Sequence, residues 1–189
     1  MITDSLYIGF GKWVLALAVI VTSAIGHPAQ AAAVPPIEQQ IKAAMIFNMI
    51  RFVEWPEPVK SAASDYLVIC TAGNSNMSQA LQSLSGKTVK GRNIQIKLAG
   101  RQSDLSRCHV LFMGEMSRAT THANIEASRK GAVLTISDTK GFAEGGGMIG
   151  FIILQGKVSF EINQQNATRQ GLRISSRLLK LAHRVLGSH

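Results

Sequence analysis

Four short strand-like runs, at 66–70, 93–98, 108–113 and 132–137, alternate with helix-like stretches, and no other feature constrains the fold as tightly. The runs are short and apolar, as in "LVIC" and "CHVLFM". Such strands are buried on both sides, which is the condition of a parallel sheet with crossover helices above and below it. The crossovers are predicted near 77–84, capped by Asn74 or Ser75 and stopped by Gly86, and near 117–129, with Gly131 punctuating the next strand. After Ser137 the rhythm changes. Residues 148–154 and 158–162 read as two strands joined through Gln155-Gly156-Lys157, a hairpin with Gly in its turn. Asn163 or Asn166 then caps a last helix reaching about Val185. The expected fold is therefore α/β: a mainly parallel sheet with helices on both faces, then a C-terminal β-hairpin followed by a long helix.

The stretch "KAAMIFNMIRFVEWP" (42–56) sits ahead of the first strand. It belongs to a predicted helix over 37–54. Ile41, Met45, Met49 and Phe52 make one stripe, and Ile46, Ile50 and Val53 make a second. Two stripes predict a helix buried over most of its circumference. Pro56 disfavours helical geometry at Trp55 and ends it. A membrane span needs about 20 residues free of charge, and this one carries Glu38, Lys42, Arg51 and Glu54.

Upstream, the apolar run 13–21 follows Lys12 and precedes small residues around Ala29–Ala33. A charged flank, a short apolar core and an A-x-A site are the layout of a secretory signal peptide. We expect a leader over 1–31 and one domain over 32–189, exported to the periplasm; no Cys follows the run to accept a lipid anchor. The mature chain keeps the net charge of +9, because Asp4 and Lys12 leave together. That charge favours acidic protein surfaces or anionic lipid, and export disfavours nucleic acid. Two cysteines remain, Cys70 and Cys108. In an exported chain they read as one disulfide, the alternative being two buried thiols. Cys70 ends one apolar run and Cys108 begins another, so in parallel strands the bridge needs a stagger that brings the α-carbons within about 7 Å.

No catalytic constellation emerges. The glycine cluster 141–147 leads into a strand, where a phosphate loop would lead into a helix, and it has no Lys-Ser/Thr pair. It reads as a loop with Phe142 and Glu144 at its tip, placed to meet a partner. The histidines show no metal-ligand spacing, and His109 beside Cys108 makes no nucleophile pair if that thiol is bridged. No cofactor is implied. The last helix instead places Arg169, Arg173, Arg177, Lys180 and Arg184 on one face. That face is either an ordinary solvated one or an electrostatic dock for an acidic protein or an anionic membrane surface.

Together, "KAAMIFNMIRFVEWP" near the mature N-terminus and "GKVSFEINQQNATRQGLRISSRLLKLA" (156–182) resemble the two signature blocks of the YfiR-like periplasmic proteins. "LVICTAGN" and "CHVLFMG" fall where that family has strands, so the resemblance covers 37–186. It implies an exported α/β protein without enzymatic activity. The implied partner is the periplasmic sensor region of a membrane-bound diguanylate cyclase, with a lipoprotein antagonist and a homodimer as further associations. Cys70 and Cys108 match one family disulfide; a second has no counterpart here, since 145–153 contains no Cys. Within this reading, Trp55, Phe142, Glu144, Arg169, Arg173 and Arg177 are the candidate partner-binding residues. A small-ligand sensor, with its site at the C-terminal ends of the parallel strands, is the alternative.

Overall fold

Chain order in the computed structural model, which describes residues 36–57, 65–73, 76–100 and 103–187, begins with helix α1 (Ile37–Arg51). The expected leader and the Asn74 or Ser75 cap lie outside the described residues. Strands β1 (Val53–Glu54) and β2 (Tyr66–Ala72), helix α2 (Met77–Gln82), and strands β3 (Thr88–Val89), β4 (Arg92–Leu98) and β5 (Val110–Met113) follow. Next come helix α3 (Arg118–Ser128) and strands β6 (Leu134–Ser137), β7 (Ile149–Leu154) and β8 (Lys157–Asn163). The chain then runs through α4 (Gln164–Arg169), β9 (Arg173–Ile174), the single turn α5 (Ser176–Leu179) and β10 (Arg184–Leu186).

Among the described residues the main sheet has eight strands, in the order β10-β8-β7-β6-β5-β2-β4-β3. Its centre is parallel: β2 pairs with β4 and β5, β5 with β6, and β6 with β7. The sheet as a whole is mixed, because β3 runs antiparallel to β4 and β7 antiparallel to β8. The β7–β8 pair sets Leu154 opposite Lys157 across Gln155 and Gly156, both with positive φ (49° and 74°). Two left-handed residues in a two-residue turn match the twist of the flanking strands.

Side-chain alternation divides the interior into two layers. Leu67, Ile69, Val110, Phe112, Leu134 and Ile136 pack under α1 and α2. Val68, Cys70, Leu111, Met113 and Val133 pack on the opposite side, with Ile125 of α3 and Phe142. Both β5 and β6 are buried at every position, as expected for strands covered on two faces. Cys70 and Cys108 are bonded, with α-carbons 5.9 Å apart. The stagger comes from the turn before β5. A one-turn 3-10 helix (Leu105–Arg107) delivers Cys108 into the α3-side layer beside Cys70, two residues before the strand begins.

Two expectations are corrected. The long C-terminal helix is not formed. α4 stops at Arg169, and Gly171 turns the chain with φ +76°. Leu172 is then buried, β9 pairs with β1, and β10 joins the main sheet beside β8. The three-and-four spacing of the basic residues is therefore not a helical face. Arg169 ends α4, Arg173 lies in β9, Arg177 in α5, Lys180 just after it, and Arg184 in β10.

The first helix also ends early, at Arg51, because Val53 and Glu54 leave it to pair with Ile174 and Arg173. One of its two apolar stripes is covered along its length, and the other fully only at Met49. Ile46, Ile50 and Val53 are fully buried, but Ile37 and Ile41 are 76 % and 44 % exposed, and Met45 and Phe52 are half-buried.

Candidate functional site

Strands β1 and β9 bring the two signature blocks into contact. Val53 faces Ile174, Glu54 faces Arg173, and the Ser175 amide donates to the Phe52 carbonyl at 2.9 Å. Gly171 packs beside Pro56, so the Trp55-Pro56 corner and the 169–177 segment form one surface feature. Arg173 projects from this ribbon with 86 % of its side chain exposed, 4.0 Å from Glu54. Arg169 and Arg177, also exposed, flank it in the chain.

Trp55 is interior to this ribbon, not part of its outer surface; it is 5 % exposed. Its indole N–H donates to the His109 carbonyl at 3.3 Å, and its ring meets the imidazole edge-on, 6.2 Å between centroids. His109 in turn joins β2 to β5. Its amide donates to the Val68 carbonyl (2.9 Å), while its Nδ1 accepts from the Val68 amide at 3.1 Å. Burial, and then the Arg92 guanidinium 3.2 Å from Nε2, push its pKa down to about 4. The imidazole is neutral at neutral pH and structural in role: protonation would put a proton on the acceptor and a charge beside Arg92.

Phe142 is likewise interior. Its ring lies over Gly147, where any Cβ would come within 2.0 Å of it. The glycine cluster is a pinned turn: the Asn163 side-chain amide donates to the Ala143 carbonyl (2.8 Å) and that of Asn166 to the Gly146 carbonyl (2.9 Å). The Asn163 carboxamide oxygen also caps α4. Glu144 is exposed and belongs to a second cluster, in which Arg184 bridges it to the buried Glu161, 2.8 Å away. The structure thus puts Arg173 on the ribbon, Arg169 at the end of α4 and Arg177 in α5, buries Trp55, and places Glu144 and Phe142 in the glycine turn. The Arg184–Glu161 pair and the Asn163 and Asn166 tethers were not anticipated, because each joins elements whose proximity only the folded topology creates.

A third feature is an open cavity of about 640 Å³ where β6 ends. Lys42, almost wholly buried, reaches Glu38 at 2.6 Å and Asp138 at 2.9 Å on its wall. Burial opposes the charge on Lys42, but its hydrogen bonds to the two carboxylates outweigh that and hold its pKa above the ordinary lysine value. Phe151, Ile152, Ile153 and Leu154 supply an apolar side. Among the described residues no group of three or more His, Cys, Asp or Glu is arranged to hold a metal ion, and no helix is long and apolar enough to cross a membrane.

The fold is similar to that of two solved structures. A conserved domain protein from Vibrio cholerae superposes with a TM-score of 0.52 at 13 % identity, over 82 % of this chain and 61 % of that one. An ABC domain from Streptococcus pneumonia, solved in complex with L-Trp, superposes with a TM-score of 0.50 at 11 % identity, over 79 % and 60 %. The chain thus spans about three fifths of the length of each, and identities this low carry the fold alone. No curated protein matches the sequence significantly. Residues 39–183 match the model of the YfiR/HmsC-like family (DUF4154), so the chain belongs to that family.

Proposed function

We propose that this chain is exported by cleavage of a leader over 1–31 and restrains an inner-membrane signalling protein, a diguanylate cyclase, by binding its periplasmic sensor region. The observation that supports this reading is the ribbon between the two signature blocks: it carries the exposed Arg173, with exposed Arg169 and Arg177 before and after it in the chain, and it adjoins the buried Trp55–His109 contact. The buried contact fixes the geometry, and the arginines supply charge complementarity to an acidic sensor surface. Exposed Glu144, on the turn that buried Phe142 packs beneath, forms the second contact region. The regulator acts by binding one conformation of the sensor better than the other, and it shifts the cyclase only by that difference in affinity. A lipoprotein that competes for the same surface would relieve the restraint. The test is cyclic-di-GMP output in cells carrying the chain with its cyclase. Deletion should raise output, and the wild-type chain but not Arg169→Glu/Arg173→Glu/Arg177→Glu should restore it. Equal restoration by the variant removes the ribbon from the interface.

A second reading is favoured by the cavity at the end of β6, a strand-end position where α/β folds bind small molecules. On this reading the chain senses a periplasmic solute; the complex of the Streptococcus domain with L-Trp is the precedent for a fold of this kind. Thermal-shift screening separates the two readings. A metabolite that raises the melting temperature, with no protein captured from membranes, favours the sensor.

A further inference from the structure

The N-terminal part of the second stripe of α1 is left uncovered, and its surroundings indicate its partner. Ile37, Ile41 and Met45 follow one another at helical spacing along α1, the first two exposed and Met45 half-buried; Met49, next in the stripe, is buried, and half-buried Phe52 lies at the helix end. Phe52 and Met45 line a shallow apolar groove of about 120 Å³ with Leu178 and Leu181, so the stripe continues onto the end of α5. Leu181 is 67 % exposed. Basic side chains edge this strip: Arg51 at the C-terminal end of α1, Arg177 one helical turn before Leu181, and Lys180 beside it, all exposed. None of the three is ion-paired with a described carboxylate. The acidic groups near the strip are engaged: Glu38 with Lys42, and Glu54 with Arg173.

We infer that this strip docks the protein onto the surface of an anionic lipid bilayer, α1 lying in the interface plane. Exposed aliphatic side chains such as Ile37, Ile41 and Leu181, flanked by cations, are what a headgroup region accepts: their tips partition among the acyl chains while Arg and Lys stay at the phosphates. A protein partner would need a matching concavity, and a groove this shallow offers little to fill. The chain's net charge of +9 adds long-range attraction to the same surface. This inference is independent of the identity of the signalling partner. It would confine a regulator to the plane in which a membrane protein's sensor region is found.

The test is co-sedimentation of the mature chain with vesicles of phosphatidylethanolamine and phosphatidylglycerol, against pure phosphatidylcholine. Binding is expected to the anionic vesicles only, falling as salt is raised. Arg51→Glu/Lys180→Glu, which leaves the ribbon arginines intact, should weaken it about thirtyfold or more, from a factor of about five per cation near the surface. Ile41→Asp/Leu181→Asp should abolish it while melting as the wild type does, since both side chains are already in solvent. Three outcomes overturn the inference: no binding to anionic vesicles, binding unchanged in both variants, or a dimer that Ile41→Asp/Leu181→Asp dissociates without any lipid binding. The last would assign the strip to a second copy of the chain.

Discussion

The centre of the sheet and its C-terminal flank are built on different terms. In the centre, β2, β5 and β6 are short, almost wholly buried, and joined by crossovers that pack one helix layer on each side. At the flank, β7 and β8 surface towards their turn, β9 is two residues long, and β10 is a three-residue edge. The centre is held by apolar contact and one disulfide. The flank shares the apolar core through Phe151, Phe160, Ile162 and Leu172 and adds specific polar links: Asn163 and Asn166 to the glycine turn, and Arg184 to Glu161 and Glu144. The contrast teaches that the stable half is a platform, and that the half carrying the candidate interface owes its shape to a few local devices that can be removed singly.

The largest expected effects are in the centre. Phe112, fully buried between β2 and β6, should cost about 4 kcal/mol as Phe112→Ala, and Cys70→Ala/Cys108→Ala a similar amount through lost loop constraint. Denaturant melts check both; a loss below about 1 kcal/mol for either would break the platform picture. His109 should make the centre acid-sensitive. Its folded pKa, about 4, lies below the ordinary 6.5, so the unfolded chain binds more protons between those values. Stability is then flat above pH 6.5 and falls as pH drops from 6.5 towards 4, by on the order of 3 kcal/mol. His109→Gln should flatten that segment of the stability profile; an unchanged slope would show that other groups produce it.

Effects at the flank should be smaller and local. Gly147→Ala forces a methyl into the Phe142 ring, costing about 2 kcal/mol and freeing the glycine turn, which amide exchange at 141–147 would report. Gly171→Ala, at φ +76°, should cost about 1–2 kcal/mol and loosen β9 from β1. Arg173→Ala, whose only described ion pair is exposed and 4.0 Å long, should change stability by less than about 0.5 kcal/mol. If the order were reversed, with the flank glycines costing more than Phe112, the division between platform and flank would fail.

The same division explains what could be read from the sequence. The central strands are legible because burial on both faces writes an unbroken apolar run, as in "VLFM", that needs no knowledge of neighbours. The cysteine pairing is legible because two half-cystines leave one choice. At the flank, an i, i+3, i+4 pattern from Arg169 to Arg184 mimics a helix, and a single glycine at 171 overrules it by taking a left-handed conformation and releasing Arg173-Ile174 to a strand partner 120 residues earlier. Phe142 resembled a loop-tip aromatic because its burial depends on Gly147 lacking a Cβ, a relation that exists only in three dimensions. Both α1 stripes are legible, but how far each is buried, fully at Ile46, Ile50 and Val53 and in the other only at Met49, is set by the folded topology. For the candidate site, the arginines and the Trp55 corner are legible as residue types, but the pairing of Glu54 with Arg173 comes from the β1–β9 ribbon, which two-residue strands do not announce.

The most direct test of the account is the affinity of the purified chain for the isolated periplasmic region of its cyclase, measured by calorimetry for the wild type and for Arg169→Glu/Arg173→Glu/Arg177→Glu. The account predicts a saturable interaction with the wild type and none with the variant, at matched melting temperatures. Equal affinity for both proteins would contradict it.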